Sequence, residues 1–290
     1  MDTNPEITAF LSSCGWHDAR ISAITPDWSP RHYWRLKKSS GESAVLVHAP
    51  KVIPGHDLGD FARLSGHLRA LGLSAPEIYG LTPTLMLTED FGDTPIDTAS
   101  VEHDAYAMAV DVLATLRTNR STEVVHYKDG YIYKKLALYS PDPAWLSAWD
   151  TVENSLPPAP QCFSHMDYKA GNLHWLPLRD GIKRIGILDF QAAQTAPFTY
   201  DIVNLLEDAR RDLDPAMKAQ LKARFKDALP DSWKPLFDDW YVVMAAQFHA
   251  RVLGQIRHIA NAAPDIAPRL EAYLAEELRH PALRPLARFF

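Results

Sequence analysis

Over the first ninety residues, apolar and polar positions alternate in short runs. "ARISAIT" (19–25), "HYWRLKK" (32–38) and "SAVLVHAP" (43–50) carry the period of two that a half-buried strand requires, and "SSGE" (39–42) reads as the turn between the last two. Between 57 and 72 the period changes. Leu58, Phe61, Leu64, Leu68 and Leu71 recur at spacings of three and four, and Gly72 stands where a helix should stop. "PEIYGL" (76–81) and "TLMLTEDFG" (84–92) return to strand character. The pattern predicts strands plus one helix: a five-stranded antiparallel sheet, with the helix inserted after the third strand.

From Val101 the helical period takes over. It runs through "VEHDAYAMAVDVLATLRTN" (101–119), Pro141 to Asn154, "YDIVNLLEDARRDL" (200–213), "PAMKAQLKARFKDAL" (215–229), residues 234–263 and "PRLEAYLAEELR" (268–279). A strand-rich half followed by a helix-rich half predicts an α+β protein. Gly and Pro interrupt both periods in "EDFGDTP" (89–95), so the division is placed between a lobe of residues 1–92 and a mostly helical lobe of residues 93–290.

Composition narrows the function classes. The chain has 290 residues, 47% of them hydrophobic, and a formal net charge of −6, which argues against a nucleic-acid partner. The basic, aromatic "RHYWRLKK" (31–38) alternates as a strand does and is read as one. There is no apolar run near the roughly 18 residues of a membrane span and no signal-peptide pattern. Cys14 and Cys162 are read as two reduced thiols, so a cytoplasmic location is expected.

The chemistry concentrates in "SHMDYKAGNLHWLPLRDGIKRIGILDFQ" (164–191). Asp180-Gly181 between two apolar runs signals a two-residue hairpin turn. Folding the chain about the midpoint of that pair sets Asn172 beside Asp189 at the open end. An amide oxygen next to a carboxylate suits Mg²⁺, which takes few protein oxygens and completes its shell with phosphate and water. Asp167, five residues before Asn172 in a loop, can approach the same spot and serve as general base for an attacking hydroxyl.

"HMDYKAGN" (165–172) followed by "ILDF" (187–190) resembles the catalytic loop and metal strand of the aminoglycoside phosphotransferase and choline kinase superfamily, which is protein-kinase-like. The resemblance covers nearly the whole chain. "RHYWRL", "LTEDFGD", "ILDFQAAQTAPFTYDIVNLLED" and "QFHARVLG" look most like its bacterial kinases of N-acetylmuramate and N-acetylglucosamine, which act at the anomeric hydroxyl. The resemblance implies a two-lobe kinase using ATP and Mg²⁺ on a small hydroxyl acceptor, a sugar above all. Asp167 would be catalytic, Asn172 and Asp189 would hold the metal, and His165 and Asp201 would support the loop. Backbone groups of Glu89 to Phe91 would bind adenine.

The sequence departs from the pattern where a third-strand lysine should reach the phosphates. His48 stands at that position, and Arg35 or Lys51 could supply the cation instead. The turn "TPDWSPR" (25–31) also lacks phosphate-cradling glycines. Other readings are a kinase for an aminoglycoside or a choline-like acceptor, a catalytically silent nucleotide binder, and a metal-dependent phosphohydrolase. Trp145 and Trp149 could stack on a sugar but read first as core. Glu207, Asp208, Arg210 and Arg211 read either as acceptor contacts or as a solvated helix face.

Overall fold

A computed structural model describes residues 4–25, 31–50, 57–118, 124–258 and 264–290. The chain clusters into two compact units: Met1–Ala105 with Gly171–Gln191, and Tyr106–Ala170 with Ala192–Phe290.

The first unit carries the expected sheet: β1 (Arg20–Ile24), β2 (His32–Lys37), β3 (Ser43–His48), β4 (Ile78–Leu81) and β5 (Leu85–Glu89). The strands lie in the order β1-β2-β3-β5-β4, each neighbouring pair antiparallel. The helix Leu58–Ala70 follows β3, capped by the Asp57 side chain, with Gly72 in the left-handed region just past its end.

A helix that the periodicity did not predict comes first. Pro5–Ser13, here α1, makes the inserted helix α2, and the first ninety residues hold two helices rather than one. The signal lay in capping: Asn4 accepts the Glu6 N–H at 3.0 Å and Pro5 opens the first turn. Ile7, Phe10 and Leu11 of α1 bury against Leu36, Ala44, Leu46, Leu85 and Leu87, one face of the sheet. Each large side chain so buried is worth about 1.5–3 kcal/mol. That cover leaves the opposite face, with Tyr33, Arg35, Val45, Val47, Met86 and Thr88, to line a cavity.

The hairpin of this unit departs from the expected turn. β7 (Leu173–Trp175) and β8 (Ile185–Ile187) pair antiparallel with Leu173 opposite Ile187, a register one residue off the predicted one. (β6 is described below.) A nine-residue connection joins them, and Asp180, at φ −108°, does not adopt the positive φ that a two-residue turn of this kind needs. Tertiary contacts set its path. Ser74 Oγ donates to the Lys183 carbonyl at 2.7 Å, and Arg179 pairs with Glu89.

The second unit is helical apart from β6 (Gln161–Ser164), which pairs with β9 (Gln194–Pro197). Its helices are α3 (Glu102–Thr118, beginning in the first unit), α4 (Tyr131–Lys134), α5 (Ala144–Asn154), α6 (Tyr200–Leu206), α7 (Pro215–Asp227), α8 (Phe237–His258) and α9 (Ala267–Glu277). α6 stops seven residues short of the predicted run, at Leu206. The cause is tertiary. The Glu207 carbonyl meets His249 Nε2 at 3.0 Å, and its carboxylate accepts from the Tyr241 hydroxyl at 2.6 Å. Trp145 and Trp149 are fully buried, and Trp145 Nε1 donates to the Leu136 carbonyl at 2.8 Å, so both are core residues. Among the described residues no helix is long and apolar enough to cross a membrane.

Gly254 of α8 sits against the backbone of the 3₁₀ turn Lys135–Leu138 and the residue after it. A Cβ there would stand 2.6 Å from Tyr139 N and 2.8 Å from Leu138 C. Replacing a mid-helix glycine by alanine ordinarily stabilises by about 0.5–1 kcal/mol. Here the sign should reverse: Gly254→Ala is expected to destabilise by about 1–3 kcal/mol, measured by urea unfolding, because backbone must move.

Candidate active site

In the second unit β6 runs into the loop His165–Ala170. Asp201, on the first turn of α6, does not cap its own helix. Its carboxylate accepts the His165 N–H at 2.7 Å and the Met166 N–H at 3.1 Å. Two consecutive N–H groups point at one carboxylate only where the chain leaves the extended conformation, and the residue that follows the first of them, Met166, is left-handed with φ 72°. The bend presents Asp167, whose N–H donates to His165 Nδ1 at 3.2 Å while the His165 ring stands edge-on to Tyr168. Burial pushes the Asp201 carboxyl up to about 6 against the two N–H donors and nearby His165. Asp167 differs. Burial alone would raise it, but Lys169, 2.9 Å away, with His165 and Arg251 further off, holds it below its ordinary value. The Asp167 side chain keeps a third of its surface open.

In the first unit the hairpin brings Asn172 and Asp189 together. The Leu188 N–H donates to the Asn172 carbonyl at 2.9 Å, so Leu188 is the cross-strand partner and Asp189 lies one residue beyond. A left-handed turn at Asp189, φ 60°, carries its carboxylate back to Asn172, where the amide nitrogen meets Oδ2 at 3.4 Å. Gln191 Nε2 holds the other oxygen. Among the described residues, Met166 and Asp189 are the two non-glycine positions with positive φ. Such conformations cost about 1–3 kcal/mol each, and they fall here beside Asp167 and at Asp189.

Asn172 and Asp189 line a cavity of about 310 Å³ that Arg35, Glu89 and Phe91 also line. Its apolar walls include Ile24, Val45, Val47, Met86 and Leu188. The Glu89 N–H is taken by the Glu77 carbonyl at 2.8 Å, and the Glu89 side chain turns to Arg179. Phe91 packs its ring where a side chain on Gly186 would stand.

Two expected phosphate contacts have other surroundings. His48 lies on the sheet face opposite the cavity, its ring 6.0 Å from His32 and 6.4 Å from Trp34, because strand alternation gives the cavity side to Val45 and Val47. Arg35 does line the cavity, but its guanidinium is committed. Nε and Nη2 fork onto Asp90 at 2.7 and 3.0 Å, and Nη2 and Nη1 reach Asp93, the former at 2.8 Å. Two carboxylates against one guanidinium leave a net negative charge, the wrong sign for a phosphate. Hydrogen bonds to Asp93, helped by Asp90, drive the Arg35 pKa further up against the opposing effect of burial, and Arg35 in turn lowers Asp93. Lys51 and residues 26–30 of the glycine-poor turn lie outside the described residues.

Sequence reasoning missed several groups. Asp90 and Asp93 were passed over because the "EDFGD" segment was read for its backbone. Lys169, two residues after Asp167, carries a charge that the motif spacing did not register. Arg31 and His174 both line the cavity. Burial lowers His174, and its Nδ1 has no hydrogen-bond partner among the described residues. Glu207 and Asp208 are buried, so neither forms a solvated helix face.

The sequence profile of the phosphotransferase enzyme family (APH) matches residues 20–236. The N-acetylmuramate/N-acetylglucosamine kinase of Caulobacter vibrioides is 30% identical, over 97% of this chain and 94% of its own. Its namesake from Pseudomonas aeruginosa is 26% identical, over 88% and 85%. Among solved structures, choline kinase LicA from Streptococcus pneumoniae superposes with a TM-score of 0.69 at 11% identity, covering 96% of this chain and 99% of that one. Amicoumacin kinase hAmiN gives 0.66 at 14%, covering 97% and 96%. These likenesses show a protein-kinase-like fold of the choline and aminoglycoside kinase type. With the profile spanning most of its length, the chain belongs to the phosphotransferase enzyme family and is a phosphotransferase with an alcohol group as acceptor.

Proposed function

We propose that this protein is an ATP- and Mg²⁺-dependent kinase of an amino sugar of the N-acetylmuramate/N-acetylglucosamine type, taking part in the recycling of cell-wall sugars. The observation that carries the chemistry is the Asp167 loop, held open by the buried Asp201. The acceptor class rests on the relatives' names and on their near-complete overlap with this chain. Two cysteines outside any disulfide and an ATP donor fit a cytoplasmic location.

In this reading residues 1–92 form the nucleotide-binding lobe and residues 93–290 the catalytic and acceptor-binding lobe. The apolar cavity walls receive adenine. With the Glu89 N–H already paired, the remaining main-chain groups between Glu89 and Phe91 give adenine its polar contacts. Arg31 takes over the phosphate-facing charge that neither His48 nor Arg35 provides.

Asn172 and Asp189 would hold Mg²⁺. The donor set fits: an amide and a carboxylate stand side by side on the cavity wall, and both offer the oxygens a hard cation takes. When bound, the ion neutralises charge on the transferring phosphate. Asp167 lies five residues from Asn172 along the chain, a span of at most about 18 Å when extended. It orients the acceptor hydroxyl and accepts its proton. A carboxyl held low is ionised throughout the neutral range but is a weak base, so its contribution is chiefly positioning.

Three outcomes test this reading. Asp167→Asn should bind ATP as the wild type does and lose at least about 100-fold in turnover; near-normal turnover would remove Asp167 from its role. Asp189→Ala should raise the Mg²⁺ concentration needed for half-maximal phosphate transfer by about tenfold or more, the scale of one lost charged ligand. An unchanged Mg²⁺ titration would clear Asp189 of metal binding.

The third outcome concerns pH. The folded-state pKa of Asp201 is raised from 3.8 to about 6, so the folded state holds this proton more tightly than the unfolded chain. Stability therefore falls as pH rises between those values, by up to about 3 kcal/mol. In paired denaturant titrations the margin of wild type over Asp201→Asn should shrink by that order from pH 4 to 7. The variant should nonetheless turn over at least about tenfold more slowly at pH 7, since an amide oxygen cannot accept both loop N–H groups as well. A margin that does not vary with pH would mean Asp201 does not titrate in this window.

A further inference from the structure

Most cations of the second unit have an acid against them. Lys128 meets Asp150 and Glu153, Arg224 meets Asp111, and Lys218 meets Glu207. Arg251 and Lys135 are two that do not. Arg251, on α8, is only 9% exposed, yet its contacts are neutral: Nη1 donates to Gln255 Oε1 at 3.0 Å, Tyr200 shares a hydrogen bond with it, and the guanidinium lies over the Phe248 ring. Lys135, which opens the 3₁₀ turn after α4, is partly buried with Nζ 4.8 Å above the Tyr131 ring.

The close seat of Leu138 and Tyr139 on Gly254 fixes where these two cations stand. Lys135 lies one turn before the contact on one side and Arg251 one turn before it on the other. They are near enough to act on each other. Burial, then Arg251, lowers the Lys135 ammonium, while Asp167 opposes the shift. Asp167 acts on both cations, but its direct ion pair is with Lys169. Two positive charges thus stand together on the Asp167 side of the unit without a carboxylate in contact. A buried, uncompensated guanidinium is costly, and an arriving anion would relieve the cost with a planar, two-point fit.

We propose that Arg251 and Lys135 bind a carboxylate carried by the acceptor, so that this enzyme prefers a sugar acid over the matching neutral sugar. The inference rests on the kinase reading above and narrows its substrate class. N-acetylmuramate has such a carboxylate and N-acetylglucosamine does not. Asp167 would then act on a hydroxyl whose neighbouring acid group is already anchored, which fixes its approach.

Acceptor pairs in which one member carries a carboxylate test this: N-acetylmuramate with N-acetylglucosamine, and glucuronate with glucose. Affinities are measured by calorimetry on the whole chain with a non-hydrolysable ATP analogue, and turnover separately. The wild type should bind the acid more tightly in at least one pair. Arg251→Gln should weaken acid binding about 10- to 100-fold, the scale of a charge-assisted hydrogen bond, without changing affinity for the neutral partner or the nucleotide. Arg251→Lys should restore part of the loss, and Lys135→Gln, at a less buried position, should act in the same direction even if Arg251→Gln fails to fold.

Equal or absent binding of acid and neutral partner in both pairs would overturn the proposal. So would an equal loss for both partners in the variants, or a loss confined to the nucleotide, which would assign the cations to donor phosphates. Acid preference seen only with glucuronate would leave the carboxylate site standing and sink the amino-sugar reading instead.

Discussion

The Asp201 carboxylate is fully enclosed, and it is spent on two adjacent main-chain N–H groups of a loop thirty-five residues earlier in the chain. Neither hydrogen bond could be exchanged for packing, because consecutive N–H groups of an extended chain point to opposite sides. Gathering both onto one acceptor takes the chain out of the extended conformation, and the left-handed bend at Met166 follows at once. Asp167 follows that bend directly, so the direction of the proposed base is fixed by a buried charge that a purely stability-driven fold would avoid. Keeping this acid ionised at neutral pH costs stability, and what it secures is local geometry.

The first unit solves a different problem. Its sheet needs an apolar cover on one face and an open slot on the other, and α1 supplies the cover. With α1 in place, strand alternation decides which side chains reach the cavity. Val45 and Val47 do, while His48 faces away. Arg35 reaches it too, but Asp90 and Asp93 hold the guanidinium on two sides and tie β2 to the segment after β5. A group that looked like a phosphate contact is therefore a clamp. Its role follows from the sign of the net charge around it rather than from its own.

The family relationship and the two electrostatic arrangements bear on different levels. Membership of the phosphotransferase enzyme family accounts for the sheet, the loop order and the class of reaction. It does not explain why Arg251 and Lys135 stand without acids while Lys128, Lys218 and Arg224 of the same unit are paired. That asymmetry belongs to this chain's own packing, where the missing side chain at Gly254 lets a short turn lie directly on α8.

Much of this was legible in the sequence. The period of two and the switch to three and four gave the five strands and α2, because burial of one face imposes those spacings on any sheet or helix. The adjacency of Asn172 and Asp189 was readable for a like reason, as a hairpin's ends must meet whatever its turn does. Periodicity could not find α1, whose start is written in a cap and a proline, nor the end of α6, which is set by His249 and Tyr241 far along the chain. Tertiary structure alone decided the hairpin register, which face of the sheet is covered and the capture of Arg35 by two aspartates. Each depends on which distant group occupies the space beside a residue, and local sequence carries residue types and spacings but not those neighbours.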